Sequence, residues 1–316
     1  MQVFITRRIP DNAQELLQKA GFTVSVFDKD RAIKKDELIK FSKNADAIVS
    51  LLSDKITKEV IDSLPRCKII ANFAVGYNNI DVEYAHSKGI VVTNTPDILT
   101  DATADIAMSL TLACARHICA AQNYMLEQKF VGWKPKLFLG IELRNKIFGV
   151  VGAGRIGQET AKRAKAFGMR IVYYNRSKKN EFENGTSAKK VSLKKLLKIA
   201  DVVSLHLPLA GNTFHLLNRE SLDLLKNTAI LINTARGEIV DEKYLISLLK
   251  KKKIFAAGFD VYEGEPKVNK ALLKLENVVI LPHIGSATFE ARNSMAKLAA
   301  ENIINVLNGK KPITPI

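Results

Sequence analysis

Cysteine is scarce in this sequence, which has only Cys67, Cys114 and Cys119 among its 316 residues. An odd, sparse set argues against a disulfide framework and is typical of proteins in a reducing compartment. Cys114 and Cys119 lie five positions apart, with no nearby cluster of histidine or acidic residues. The sequence therefore predicts no metal site at these cysteines.

Long apolar runs are also missing. No apolar stretch approaches the roughly 20 residues that a transmembrane helix needs. The first residues, MQVFITRRIPDNAQELL, lack the basic-then-apolar layout of a signal peptide. These absences predict a cytoplasmic protein without a membrane partner.

Acidic residues are fewer than basic ones, 32 against 48, which gives a formal net charge of +16. A strongly basic chain can indicate nucleic-acid binding. Here, however, lysine is spread over the whole chain without a stripe of interleaved aromatic residues. The densest run, Lys250–Lys253, ends a helix-like segment, where the helix dipole favours cations. We therefore expect the charge to attract small anions, and no nucleic-acid partner is predicted.

The length suits two domains of about 150 residues each. The first hundred residues alternate short β-branched runs with helical segments, which indicates a parallel sheet covered on both faces. A long helical region (102–128) and an irregular stretch resembling an extended arm (129–146) follow. A second α/β series then begins at residue 146. The last segment, 287–309, is a long amphipathic helix, and its position suggests that the chain returns to the first domain.

A glycine-rich turn opens the second series. Residues 149–157 read GVVGAGRIG, with Gly152, Gly154 and Gly157 in the spacing of a dinucleotide-binding motif. The motif follows an apolar strand and opens a helix, which is the context that such a site requires. The first two glycines allow a tight turn and a close approach to a pyrophosphate, and the third lets the helix pack on the strand. Because helix N-termini also attract phosphates, the motif predicts a dinucleotide cofactor.

The next strand ends with Asn175, Arg176 and Ser177, and no carboxylate follows until Glu181. An NAD site normally places an acidic residue near here to bind the ribose 2′-hydroxyl. Arginine can instead pair with a 2′-phosphate, and serine can donate a hydrogen bond to it. The segment therefore favours NADPH. The alternative is that Arg176 is a solvated loop charge and that the enzyme also uses NADH.

Three more polar residues follow strands of the second series, namely Arg236, Glu265 and His283. In open parallel sheets, ligands bind beyond the carboxyl ends of the strands. A keto-acid reductase needs a cation for the substrate carboxylate, and the planar fork of arginine suits this role. It also needs a proton donor, and histidine titrates near neutrality. A carboxylate beside the histidine would orient it and keep it protonated. His206, at another strand end, is an alternative proton donor.

The motifs VGAGRIG, NTARGEIVDEKYL, GFDVYEGEP and LPHIGSAT resemble the successive signatures of the D-isomer-specific 2-hydroxyacid dehydrogenases, over essentially the whole chain. The resemblance implies an α/β protein with two doubly wound parallel-sheet domains. A Rossmann cofactor domain, residues 99–284, would be inserted into a discontinuous flavodoxin-like substrate domain, residues 1–98 and 285–316. It also implies that Arg236, Glu265 and His283 form the catalytic set.

The resemblance further implies contacts for both ligands. In the loop ANFAVGYNNID, the backbone N–H groups of Val75 and Gly76 would hold the substrate carboxylate, together with Arg236 and His283. Asn78 replaces the aspartate common in this loop, with little expected effect because the loop acts through its backbone. The positions that match cofactor contacts outside the glycines are Arg155, Ile156, Thr234, Asp260 and Gly285.

Within the family, TPDILTDATADIA, GWKPKLFLG and HIGSATFEARNSMA are most similar to the glyoxylate/hydroxypyruvate reductases. This similarity implies reduction of a small 2-keto acid with NADPH. It also implies a homodimer in which Trp133, on the irregular arm, enters the substrate pocket of the neighbouring subunit. Two alternatives stay open: another enzyme of the family, of the phosphoglycerate or D-lactate type, and a non-catalytic protein that senses nicotinamide nucleotides.

Overall fold

The computed structural model describes all 316 residues, which divide into two compact units. Unit 1 contains Met1–Leu99 and Ser286–Ile316, and unit 2 contains Thr100–Gly285. The predicted boundaries, after residues 98 and 284, each lie one residue before the boundaries of these units.

Strands and helices alternate along the chain, as the sequence predicts. The strands are β1 Gln2–Ile5, β2 Thr23–Val26, β3 Ala47–Ser50, β4 Ile69–Asn72, β5 Val91–Thr93, β6 Ile147–Val151, β7 Arg170–Tyr174, β8 Lys189–Lys190, β9 Val202–Leu205, β10 Ile230–Asn233, β11 Ala256–Phe259 and β12 Val278–Ile280. The helices are α1 Asn12–Lys19, α2 Lys35–Ser42, α3 Lys58–Asp62, α4 Val82–Ser87, α5 Thr100–Ala115, α6 Ile118–Leu126, α7 Arg155–Ala166, α8 Asn180–Thr186, α9 Leu193–Ile199, α10 Arg219–Leu222, α11 Glu242–Lys250 and α12 Phe289–Leu307.

Unit 1 is built on a five-stranded parallel sheet in the order β2-β1-β3-β4-β5. Every residue of β3 and β4 is buried, because helices and loops cover both faces of a parallel sheet. The strand order is that of flavodoxin-like folds, in which ligands bind at the carboxyl ends of the strands. The predicted fold of this unit is therefore confirmed.

Helix α12 completes unit 1, which confirms that the chain returns to its first domain. The helix packs against α1, β3 and β4. Its contact stripe is Ala296, Ala299, Ala300 and Ile303, all at most 1% exposed, and small side chains let the helix lie close to the sheet. The stripe shares one apolar cluster with the strand residues on that face.

Unit 2 contains a seven-stranded parallel sheet in the order β12-β11-β10-β9-β6-β7-β8. Apolar clusters lie on both of its faces. The strand order is the doubly wound Rossmann arrangement, and its direction reverses between β6 and β9, where dinucleotides bind in such sheets. The sequence did not predict β8, because two exposed lysines carry no apolar pattern.

The long helical region before the second sheet is two helices. Helix α5 ends at Ala115 and α6 begins at Ile118, with a 65° bend between them. His117 lies in the left-handed region, with φ of 52°, which a helix interior does not allow. No single helix is long and apolar enough to span a membrane. Helices α5 and α6 reach that length and hydropathy only when they are counted together across the bend.

Candidate active site

The glycine turn joins β6 to α7. Gly152 has a φ of 98°, and a Cβ atom on it would lie 2.7 Å from the carbonyl oxygen of His206. A Cβ atom on Gly157 would lie 2.2 Å from the carbonyl oxygen of Gly152. Both positions therefore exclude a side chain. At Gly152 both the positive φ and the contact with His206 require glycine, and at Gly157 the helix packs too closely against the turn. Gly154 instead borders open space, with no heavy atom within 4 Å of such a Cβ.

The open space at Gly154 lies at the N-terminus of α7. Gly154 is the N-cap residue, and no side chain caps the helix. Arg155 and Ile156 follow as the first two helical residues, where backbone N–H groups lack intrahelical acceptors and the helix dipole is positive. The turn and the helix end thus offer an uncapped cradle that fits a pyrophosphate.

A second feature that fits a dinucleotide is the hydroxyl of Thr234, which follows β10. Its Oγ1 atom is buried and has no hydrogen-bond partner in the protein. Buried hydroxyls are normally paired, so this atom is suited to contact a bound molecule. The residues present in unit 2 therefore fit the predicted cofactor.

The loop after β7 carries the residues predicted to select the cofactor. The Asn175 amide donates to the carbonyl oxygen of Ser177 at 3.1 Å, and Lys190 Nζ donates to the carbonyl oxygen of Arg176 at 3.0 Å. The side chains of Arg176 and Ser177 are exposed. The loop is thus cationic, and nothing in it resembles the acidic ribose contact of an NAD site.

His283 and Glu265 form a hydrogen-bonded pair, with Nδ1 of the histidine 2.9 Å from Oε2 of the carboxylate. The other oxygen of Glu265 accepts from the N–H of Tyr262 at 2.9 Å. Burial acts to raise the pKa of the Glu265 carboxyl, but the bonds from His283 and Tyr262 outweigh it, and the pKa lies below its ordinary value. An ionised carboxylate only accepts, so the proton lies on Nδ1 of His283. Nε2 is left to exchange a proton with a ligand.

Asp260 fixes the backbone that carries His283. Its side chain is 1% exposed, and its two oxygens accept from the N–H groups of Ile284 and Gly285, each at 2.7 Å. Burial raises the pKa of the Asp260 carboxyl, and these two N–H groups act in the opposite direction. His283 has a φ of 55°, an uncommon conformation for a residue with a side chain. The carboxylate therefore holds the loop in a shape that the backbone alone does not favour.

Arg236 follows β10 in a turn held by Asn233. The side chain of Asn233 accepts from the N–H of Ala235 at 3.0 Å and donates to the carbonyl oxygen of Arg236 at 2.8 Å. Burial lowers the pKa of the Arg236 guanidinium, while the charges of Glu265 and Glu238 act to raise it. The group remains a cation at neutral pH, close enough to Glu265 for the two charges to interact.

Gly237 explains why glycine follows the arginine. A Cβ atom here would lie 1.9 Å from the carbonyl carbon of Tyr262, so the Arg236 turn lies directly on the segment that leads to Glu265. The phenol of Tyr262 donates to the carbonyl oxygen of Leu281 at 2.6 Å. Tyr262 thus contacts the segments that carry all three predicted catalytic residues. Neither Tyr262 nor Asn233 was predicted, although an asparagine directly after a buried strand often bonds to nearby backbone.

His206, the alternative proton donor, lies in a different environment. Its Nε2 atom is 2.8 Å from the hydroxyl of Ser204, and its Nδ1 atom is buried without a partner. Burial lowers the pKa of His206 to about 3, so the ring is neutral at physiological pH. A neutral imidazole is poorly suited to donate a proton, and this argues for His283.

The remaining predicted residues lie elsewhere. Val75 and Gly76 belong to unit 1, in the loop after β4, and their N–H groups have no acceptor within the protein. Trp133 lies in an irregular segment of unit 2 and is 83% exposed. Val131 and Leu139 on this segment are also exposed, and the preceding helix α6 has no buried residue.

Comparisons with known proteins agree with this geometry. A family model for the D-isomer specific 2-hydroxyacid dehydrogenase, NAD binding domain, matches residues 108–285. The chain is 50% identical to the glyoxylate reductase of Thermococcus kodakarensis, over 99% of this chain and 95% of the relative. A crystal structure of a Thermus thermophilus protein has a TM-score of 0.95 and 43% identity, over the whole of both chains. The NADPH-dependent glyoxylate/hydroxypyruvate reductase of Sinorhizobium meliloti, solved with NADP and malonate, has a TM-score of 0.88 and 31% identity, over 100% of this chain and 96% of that chain.

Proposed function

Because the chain belongs to the D-isomer specific 2-hydroxyacid dehydrogenase family and is a 2-keto acid reductase, we propose that it reduces glyoxylate or hydroxypyruvate with NADPH. The observation that carries this proposal is the pair of His283 and Glu265 at 2.9 Å, in the same unit as the glycine turn. The relatives named as glyoxylate reductases support the choice of substrate.

The reaction adds a hydride to the keto carbon and a proton to its oxygen. NADPH, when bound, supplies the hydride. We assign the proton to Nε2 of His283, which the Glu265 carboxylate orients through Nδ1. Arg236 is assigned to the substrate carboxylate and carbonyl oxygen, because its fork binds carboxylates in two places and its charge stabilises the developing alkoxide. The N–H groups of Val75 and Gly76 are assigned to the same carboxylate.

The cofactor is assigned to the turn and loop described above. The glycine turn, Arg155 and Ile156 would hold the pyrophosphate at the N-terminus of α7, and Thr234 offers an unpaired hydroxyl. Asp260 and Gly285 bond to each other, and they would act by shaping the nicotinamide end. Preference for NADPH rests on the cationic loop after β7, where Arg176 would pair with the 2′-phosphate and Asn175 and Ser177 would add hydrogen bonds.

We further propose that the protein is a homodimer. Trp133, Val131 and Leu139 are each more than two-thirds exposed, and an extended apolar surface of this kind usually marks an interface. Tryptophan is a favoured anchor in such interfaces. In the dimer, Trp133 would reach the substrate pocket of the neighbouring subunit.

A panel of substrates tests the proposed function. The purified protein is mixed with NADPH or NADH and with glyoxylate, hydroxypyruvate, pyruvate or phosphohydroxypyruvate, and loss of the reduced-cofactor absorbance is followed. We expect the highest kcat/KM with NADPH and glyoxylate or hydroxypyruvate. A higher kcat/KM for pyruvate or phosphohydroxypyruvate would instead assign the D-lactate or phosphoglycerate type. Cofactor binding without turnover of any keto acid would support the nucleotide-sensing alternative.

A further inference from the structure

In the loop after β4 in unit 1, backbone carbonyl groups accept hydrogen bonds that hold the loop in place. The side-chain amide of Asn94 donates to the carbonyl oxygen of Val75 at 2.8 Å. The side-chain amide of Asn72 donates to the carbonyl oxygen of Gly76 at 2.9 Å. Two asparagines from the ends of two neighbouring strands thus hold consecutive peptide groups of one loop.

Holding a carbonyl group also sets the direction of the next N–H group. A trans peptide is planar, and its C=O and N–H bonds point to opposite sides. Asn94 therefore aims the N–H of Gly76 away from itself, and Asn72 does the same for the N–H of Tyr77. Neither N–H has an acceptor within the protein.

The N–H of Val75 is aimed in a related way. The carbonyl oxygen of Ala74, in the same peptide group, accepts from the backbone N–H of Thr95 at 2.9 Å. Three successive N–H groups, at residues 75, 76 and 77, are thus oriented by bonds to the opposite side of their peptides. Successive backbone N–H groups without a partner in a turn are donors of the kind that bind anions.

Asn72 cannot turn without leaving buried polar atoms unpaired. It is 1% exposed, and its oxygen accepts from the hydroxyl of Ser50 at 3.1 Å. The side-chain nitrogen of Asn79 lies 3.4 Å from the same Asn72 oxygen. It also donates to the carbonyl oxygens of Leu51 and Asp54 at 3.0 and 3.1 Å. An unpaired buried amide is costly, so this network fixes the orientation of the Asn72 side chain.

Asn94 is fixed through its backbone. Its N–H donates to the carbonyl oxygen of Thr314 at 3.3 Å, and its carbonyl oxygen accepts from the hydroxyl of Thr314 at 2.7 Å. The side chain that reaches Val75 therefore starts from an anchored position.

We propose that Asn94 and Asn72 are positioning residues for the substrate carboxylate, and that the N–H of Tyr77 is a third donor to it. The inference rests on the proposed function, which places the carboxylate at Val75 and Gly76. Neither asparagine touches the substrate. Each acts by holding a carbonyl group so that the opposite N–H faces the anion.

The test uses Asn94→Ala and oxamate, a keto-acid analogue that cannot be reduced. Calorimetry measures the Kd of oxamate for the enzyme–NADPH complex and, separately, the Kd of NADPH. Loss of a well-aimed donor to a charged group weakens binding by roughly tenfold to a hundredfold. We expect such a rise in the Kd of oxamate with no change in the Kd of NADPH. Because the carboxylate is bound before and during the reaction, KM should rise while kcat changes little.

Asn12→Ala is the matched control, since Asn12 also donates its amide to a backbone oxygen of unit 1, that of Asn293 at 2.8 Å. It should leave the Kd of oxamate unchanged. If Asn94→Ala does not fold, Asn94→Leu, which retains the side-chain volume, takes its place. An oxamate Kd within twofold of the wild-type value in a folded Asn94 variant would overturn the positioning role.

Amide hydrogen exchange on the wild-type protein gives an independent result. Oxamate should slow exchange at Val75, Gly76 and Tyr77 in the enzyme–NADPH complex, and unchanged exchange at Tyr77 would refute the third donor. Failure of the proposed function looks different, because the wild-type protein would then reduce glyoxylate and hydroxypyruvate no better than the other keto acids of the panel, whatever Asn94→Ala does to the Kd of oxamate.

Discussion

Nδ1 of His283 and Oε2 of Glu265 lie 2.9 Å apart, although the two residues are 18 positions apart in the chain. The pair leaves Nε2 of the imidazole as the only ring nitrogen able to meet a substrate. Replacing His283 by glutamine keeps a polar side chain but removes the proton donor. Loss of a general acid typically slows a reaction by about 10²- to 10⁴-fold. We expect a fall of that size in kcat and an unchanged Kd for NADPH. A variant that keeps more than a tenth of the wild-type kcat would remove His283 from this role.

The same pair predicts a dependence of stability on pH. The pKa of Glu265 lies below its ordinary value of 4.5 in the folded protein, so the unfolded chain takes up its proton first as the pH falls. The contribution of Glu265 to stability is therefore complete above about pH 4.5 and is lost as the pH falls through the folded pKa. Urea titrations between about pH 7 and pH 3 measure the free energy of unfolding of the wild-type protein and of Glu265→Gln. The difference between the two free energies should shrink as the pH falls below 4.5. Parallel curves for the two proteins would contradict this.

Arg236→Lys tests whether the charge or the fork matters at this position. Lysine keeps the positive charge but cannot bind a carboxylate in two places. Steady-state kinetics with glyoxylate should therefore show both a higher KM and a lower kcat. If lysine supports wild-type kinetics, Arg236 is a structural turn residue and another cation must bind the carboxylate.

Arg176→Ala tests the choice of cofactor. A charge-assisted hydrogen bond to a phosphate contributes about 1.5–3 kcal/mol, or roughly tenfold to a hundredfold in affinity. The ratio of kcat/KM for NADPH to that for NADH should fall by this factor. Arg170→Ala, at the other end of β7 and also exposed, should leave the ratio unchanged. Equal use of both cofactors by the wild-type enzyme would refute the assignment.

Trp133 is the only tryptophan in the chain, so its fluorescence reports on one site. In the proposed homodimer, oxamate should change this fluorescence in the enzyme–NADPH complex, and Trp133→Ala should raise the KM of the keto acid. Sedimentation should give a dimer for the wild-type protein. A monomer, or fluorescence and KM that do not respond, would exclude the proposed role.

Much of the fold could be predicted because its signals are local. Strands such as β4 and β6 are runs of apolar residues. The spacing of Gly152, Gly154 and Gly157 is one that few structures other than a dinucleotide-binding turn require. The break between α5 and α6 was not predicted, because His117 adopts a left-handed conformation without glycine or proline to mark it.

The contacts from side chains to backbone that shape the site could not be predicted, because they join residues far apart in sequence. Asp260 bonds to the N–H of Ile284, 24 residues later, and Asn94 bonds to Val75, 19 residues earlier. Hydrophobic periodicity reveals which residues are buried but not which polar partners they meet. Such partners become visible only once the strand order is known.

The return of α12 to unit 1 has a consequence for folding during synthesis. Residues 1–99 are made before unit 2, but one face of their sheet, which includes Val49 and Ala71, packs against a helix made after unit 2. Unit 2 is continuous in sequence and can fold while that face waits uncovered. A nascent chain therefore carries an apolar sheet surface throughout the synthesis of unit 2. This surface stays uncovered until residues 289–307 are made, so a chain that stalls after unit 2 and before α12 should be prone to aggregation.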